Sequence, residues 1–159
     1  MSSENKNQIT SLVFAVLILL TIFNSGYFFV GILKLSLGKW LAFNACSLTG
    51  IIYLICFIAF RITKKDYLLA VPLLPLYYYG TMGLFIMPWN ESNMFAQITH
   101  IIITLNILWI VFAFLRERKF ESLGKGLLWG IAVFVPVFAG IQTYVQIHMN
   151  EFTNALQKM

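Results

Sequence analysis

Five long apolar runs, separated by short polar gaps, dominate the sequence. They cover residues 9–33, 40–60, 67–87, 94–115 and 126–147. About 20 apolar residues suffice for an α-helix to cross the hydrocarbon core of a bilayer, and each run reaches this length. Because lipid offers no hydrogen-bond partners, a crossing chain must satisfy its own backbone, which favours helices. The pattern therefore predicts an all-α integral membrane protein, with five transmembrane helices in one bundle and a single transmembrane domain over residues 1–159.

The third run contains two prolines, Pro72 and Pro75, within one helical turn of each other. Each proline removes a backbone donor and its ring clashes with the carbonyl one turn earlier. We therefore expect the third helix to be kinked near Val71.

Lysine and arginine are distributed unevenly between the gaps. One side of the predicted bundle holds eight of them: Lys6, Arg61, Lys64, Lys65, Arg116, Arg118, Lys119 and Lys125. The other side holds three: Lys34, Lys39 and Lys158. By the positive-inside rule the first side is cytoplasmic, which places the N-terminus inside and the C-terminus outside. The expected location is the cytoplasmic (inner) membrane or the plasma membrane.

The composition agrees with a membrane protein and excludes a soluble domain. Apolar residues make up 60% of the 159 residues and charged residues only 11%, less than half the usual share. The net charge of +5 comes from residues in the gaps, where it signals topology, and we do not expect nucleic acid as a partner. The two cysteines, Cys46 and Cys56, are about 15 Å apart along one helix, too far for a disulfide.

Uncharged polar residues within the runs gather in the outer half of the predicted bundle. The fourth run places Gln97, His100 and Thr104 on one stripe of a helix, because their spacing matches the helical period. The candidate site residues from all five runs are Asn24, Asn44, Tyr78, Gln97, His100, Thr104, Gln142 and Gln146. The inner half is nearly bare of polar residues, apart from Asn106 and a few serines and threonines.

Two interpretations of this one-sided pattern compete. Polar side chains join transmembrane helices through hydrogen bonds worth about 0.6–2 kcal/mol each, and this explains isolated residues such as Asn106. Alternatively, the stripes line an outward-facing polar pocket that admits water and a small ligand. Because the polar residues of all five helices cluster in the outer half of the bundle, we expect the outward-facing pocket.

His100 is the only ionisable residue well inside a run, about 9 Å below the outer end of its helix. Ionisable groups at membrane depth are commonly functional. His100 therefore heads the predicted ligand-binding residues. The alternatives are a neutral histidine that bonds to a neighbouring helix, and a ligand of haem or metal.

The sequence offers no catalytic machinery of its own. The aspartate and all five glutamates lie in gaps or tails, and no phosphate loop, nucleophile elbow or metal-binding motif occurs. We expect a small membrane protein that binds, senses or moves a small molecule, with no identified cofactor. The alternatives are an accessory subunit of a larger membrane complex and a membrane enzyme or haem protein using His100. The expected partners are the lipid bilayer, a small-molecule ligand, and a second copy or another membrane subunit.

Overall fold

The computed structural model describes residues 3–157, which form helices and turns and no strand. The first helix, Ser3–Gly26, continues as a π-helix over Tyr27–Ile32. The next two helices are Leu37–Phe43 and Ala45–Thr63. An interrupted helical stretch follows, with the segments Tyr67–Ala70, Leu73–Pro75, the π-helix Leu76–Thr81, and Gly83–Ile86. A 3-10 turn over Glu91–Asn93 leads into Met94–Arg116, and the last helix is Phe120–Gln157.

Within residues 3–157, five helical stretches are long and apolar enough to cross a membrane, which confirms the predicted number. They are Gln8–Ile32, Ala45–Thr63, Tyr67–Ile86, Met94–Arg116 and Phe120–Asn150. We refer to them as the first to fifth spans. The fifth belongs to a helix of 38 residues, about 57 Å long, which exceeds the roughly 30 Å hydrocarbon core.

The second span begins at Ala45, whereas the apolar run begins at residue 40. Asn44 interrupts the helix there with non-helical φ and ψ angles of −120° and 73°. Its side-chain Oδ1 accepts a hydrogen bond of 3.1 Å from the Ser47 amide and so caps the helix that follows. Asparagine competes in this way with helical backbone bonding, and Leu37–Phe43 becomes a separate short helix.

The third span is broken where the two prolines predicted a kink. Val71 and Pro72 form a turn between two short α-helical segments. Proline at position 75 has no N–H to offer the Val71 carbonyl. This carbonyl faces Gly130 of the fifth span, where an added Cβ would lie 2.6 Å from its oxygen. Gly126 packs in the same way against the Tyr67 carbonyl and Ala70, so the two glycines let the fifth helix approach the broken one closely.

The third span contacts the second, fourth and fifth spans, and the first span packs on the second and fourth. The buried core between them includes Ile18, Tyr53, Leu76 and Ile103. We call the end with the loops 64–66 and 117–119 the basic end. The end with the loops 33–36 and 87–93 is the far end, and each half of the bundle takes the name of its end.

Candidate functional site

A hydrogen-bond cluster joins the first two spans in the far half. Ser25 Oγ accepts hydrogen bonds from Trp40 Nε1 at 2.9 Å and from Asn44 Nδ2 at 2.7 Å. The Ser47 hydroxyl lies 2.9 Å from the same oxygen. Since a serine hydroxyl offers two lone pairs and one proton, these three contacts use its full capacity. Asn44, a predicted ligand-binding residue, is therefore engaged in helix packing.

His100 is buried between the second, third and fourth spans, with 4% of its surface exposed. Its Nε2 lies 3.2 Å from Cys46 Sγ, and the Cys46 thiol donates to the Tyr79 carbonyl. Because the thiol has one proton, His100 must donate from Nε2, which leaves Nδ1 as an acceptor. Nδ1 has no hydrogen-bond partner within the described residues. The ring packs so closely on Gly83 that an added Cβ would overlap it.

The two other predicted residues of the fourth span also bind the third span and the loop after it. Gln97 Nε2 donates to the Met87 carbonyl at 2.7 Å, while Gln97 Oε1 has no partner in the described part of the chain. Thr104 Oγ1 donates to the His100 carbonyl at 2.7 Å and lies 3.1 Å from Thr81 Oγ1. The polar stripe of the fourth span is thus a packing surface over most of its length.

The remaining predicted residues do not join these clusters. The side chains of Asn24, Tyr78, Gln142 and Gln146 are exposed on the surface of the bundle. Tyr144, between the two glutamines, packs on Phe43 at 6.5 Å between ring centroids. This contact places the glutamines level with the short helix Leu37–Phe43, near the far end of the bundle. The eight predicted residues therefore fall into two packing clusters and an exposed set.

An open crevice of about 730 Å³ lies instead at the basic end of the bundle. The first four spans supply its walls, and both basic-end loops reach its rim. Its apolar walls include Phe60, Leu69, Trp109, Ile110 and Phe114. Small-molecule sites commonly have volumes of roughly 300–1,000 Å³ and mostly apolar walls, so this crevice has the dimensions of a ligand site.

The deep end of the crevice is formed by Tyr53, next to Asn106. These residues are 1% and 0% exposed. The Asn106 side chain is the polar neighbour of the Tyr53 hydroxyl, but the two do not reach hydrogen-bond geometry. Within the described residues, the Tyr53 hydroxyl and both polar atoms of the Asn106 amide have no partner. Buried polar groups are nearly always hydrogen-bonded, so these three atoms are exceptions that lie next to the crevice.

The rim of the crevice carries three cations and two carboxylates. Lys119 Nζ binds Asp66 at 3.0 Å and Glu117 at 2.7 Å, and so links the two basic-end loops. Arg61 and Lys64 also reach the crevice, and their side chains make no ion pair in the described part of the chain. Because Lys119 engages both carboxylates, the rim presents Arg61 and Lys64 to an anion.

Sequence reasoning missed this crevice. It counted Arg61 and Lys64 only for orientation and assigned Asn106 to helix packing. The available signal was that Asn106 is an isolated polar residue in an apolar half, where it needs a partner. Tyr53 gave no signal, since tyrosine is common in apolar runs and only the packing shows that its hydroxyl is unpaired.

No protein-family model matches the chain, and no curated protein sequence or solved structure is significantly similar to it. Among the described residues, no three His, Cys, Asp or Glu side chains are grouped to hold a metal ion. Function must therefore be argued from the site itself, from its shape, charges and unpaired polar groups.

Proposed function

We propose that this protein is a non-catalytic membrane protein that binds a small molecule in the crevice at its basic end. The observation that carries the proposal is the crevice itself. It is open to the surface, lined by residues of four spans, and of ligand size. In the described part of the chain, Arg61 and Lys64 at its rim make no ion pair, and Tyr53 at its floor has a buried hydroxyl without a partner.

The orientation follows from the distribution of basic residues. With the basic end in the cytoplasm, the N-terminus is inside, the C-terminus is outside, and the crevice opens to the cytoplasm. The membrane is then the cytoplasmic (inner) or plasma membrane. This places the binding site on the side opposite the pocket expected from the polar residues. The hydrogen bonds of Ser25 and His100 support packing roles in the far half.

A second candidate function is that of an accessory subunit or a homo-oligomer. The observation in its favour is the exposure of the first and fifth spans, in each of which only 17% of the most apolar window is buried. Gly140 faces open space beside the exposed Gln142. No comparable observation favours an enzyme or haem protein, because the His100 ring is packed against Gly83 and bonded to Cys46.

Cysteine labelling tests whether the crevice admits water and solutes. Ala113 lines the crevice, while its neighbour Phe112 is exposed on the outside of the fourth span. In a background with Cys46→Ser and Cys56→Ala, Ala113→Cys should react with a membrane-impermeant thiol reagent added at the basic end. Phe112→Cys is the matched control and should not react, because its thiol would face lipid.

The membrane face from which the thiol reagent labels Ala113→Cys also tests the orientation. In sealed vesicles, Ala113→Cys should be labelled only when the cytoplasmic face is accessible. Protection of Ala113→Cys on both faces would overturn the crevice site and leave the accessory-subunit candidate. Labelling from the outside alone would overturn the orientation.

A further inference from the structure

We propose that the crevice selects an amphiphilic organic anion that carries a second polar group at the far end of its apolar body. The anionic group would lie between Arg61 and Lys64, and a hydroxyl or carbonyl group would bond to Tyr53. This inference rests on the proposed function, because it names the ligand class of the same site.

The rim supplies the selection for negative charge. Arg61 and Lys64 are exposed cations on the last turn of the second span and its cap. The third rim cation, Lys119, forms ion pairs with Asp66 and Glu117 and is therefore not available to bind an anionic ligand. Guanidinium and ammonium groups bind carboxylates and phosphates through charge-assisted hydrogen bonds.

The walls and the floor set the length of the ligand. Tyr53 precedes Arg61 by eight residues on one helix, which corresponds to about 12 Å along its axis. Phe60 and Phe114 line the crevice between these levels. A ligand that spans this distance needs an apolar body to pack against these two rings. At the bottom the ligand's polar group displaces the packing over the Tyr53 hydroxyl, which is buried and unpaired among the described residues.

A matched series of probes separates the two ends of the site. The probe 10-hydroxydecanoate has an anion at one end and a hydroxyl at the other, at about the required separation. Decanoate lacks the hydroxyl, and 1,10-decanediol lacks the anion. Calorimetric titration of the protein in nanodiscs of zwitterionic lipid measures their affinities, and empty nanodiscs measure partition into lipid alone.

We expect 10-hydroxydecanoate to bind about tenfold more tightly than decanoate, the effect of one buried hydrogen bond. Tyr53→Phe should abolish this difference by weakening only the hydroxylated probe. Arg61→Gln combined with Lys64→Gln should weaken both anions about tenfold or more and leave the diol unaffected. Arg116→Gln, which removes a basic-end cation that does not line the crevice, should change nothing.

Three outcomes would overturn the proposal. Equal heats in protein-containing and empty nanodiscs would show partition only. Binding that is insensitive to the Arg61 and Lys64 changes would remove the anion site. A hydroxyl preference that persists in Tyr53→Phe would remove the floor contact. Each of these leaves the labelling of Ala113→Cys unchanged, whereas failure of the proposed function abolishes that labelling, so the two failures are distinguishable.

Discussion

The far half and the basic half of the bundle differ in what surrounds their buried polar side chains. In the far half, Ser25 holds three polar partners and His100 is bonded to Cys46. In the basic half, polar side chains are scarce, yet Tyr53 and Asn106 are buried without partners in the described residues. The open crevice lies beside the unpaired groups. His100 Nδ1 and Gln97 Oε1 in the far half also lack partners among the described residues. What distinguishes the basic half is therefore the open crevice beside its unpaired groups.

The largest expected effect concerns the close packing of the far half around His100. Gly83→Ala would push a methyl group into the His100 ring, whose three nearest atoms all lie within overlap distance. Overpacking of this kind typically costs 1–3 kcal/mol, and we expect about 3 kcal/mol of lost stability because both the ring and the backbone are confined. Thermal unfolding in detergent measures the effect.

Gly140→Ala is the matched control, because nothing lies within 4 Å of an added Cβ at that position. It should be neutral or should stabilise the helix by up to about 1 kcal/mol. If both glycine variants unfold at the temperature of the unsubstituted protein, the space around His100 is loose, and an outward-facing pocket there regains its basis.

Much of the fold was predictable because each span carries its own signal. The length and apolar character of the five runs depend on no distant residue, and the break near Pro72 follows from the missing amide donors. The interruption at Asn44 was missed because it depends on a side-chain cap that only the folded loop reveals. For the same reason the second span begins at Ala45 and not at residue 40, where the apolar run begins.

The candidate site was less predictable because it depends on how helices pack. The spacing of Gln97, His100 and Thr104 correctly indicated a shared face, but the pattern does not say whether that face meets water or another helix. Gln97 and Thr104 reach groups of the third span and the loop after it. The crevice is lined by residues from the first four spans at the basic end, and no single span carries that information.

The second test compares one hydroxyl from each half. Ser25→Ala would leave the Trp40 and Asn44 donors without their acceptor, and unpaired donors cost about 1–3 kcal/mol when buried. We expect a loss near 2 kcal/mol, because Trp40 is buried whereas Asn44 is half-buried and can recover some bonding to water. Tyr53→Phe removes a hydroxyl that has no partner among the described residues, and it should change the stability by less than about 0.5 kcal/mol or raise it.

Chemical or thermal unfolding of the two variants side by side gives the comparison directly. A larger loss of stability for Tyr53→Phe than for Ser25→Ala would contradict the predicted order. That result would mean that the Tyr53 hydroxyl is bonded in the folded protein, and the polar floor of the crevice would then be a packing contact like those of the far half.

The smallest expected effect concerns the ion pairs that join the two basic-end loops. Burial by itself lowers the pKa of the Lys119 ammonium, but the hydrogen bonds and charges of Glu117 and Asp66 outweigh it and raise the pKa. A group whose pKa is raised in the folded state stabilises the fold below its ordinary value of 10.5. That stabilisation is lost as the pH rises through the folded-state pKa.

Lys119→Gln should therefore lower the free energy of unfolding at neutral pH by no more than about 0.5 kcal/mol, because the side chain is 38% exposed and solvent screens the pairs. The difference from the unsubstituted protein should shrink above pH 10.5 and at high salt. Lys65→Gln, an exposed neighbour in the other loop, is the control and should show neither dependence. An Lys119→Gln deficit that grows with pH would contradict the assignment, since it requires a group whose pKa the fold depresses. In that case the loops at the mouth of the crevice would be held by neutral contacts, as the far half is, and the contrast between the two ends would be confined to the floor formed by Tyr53 and Asn106.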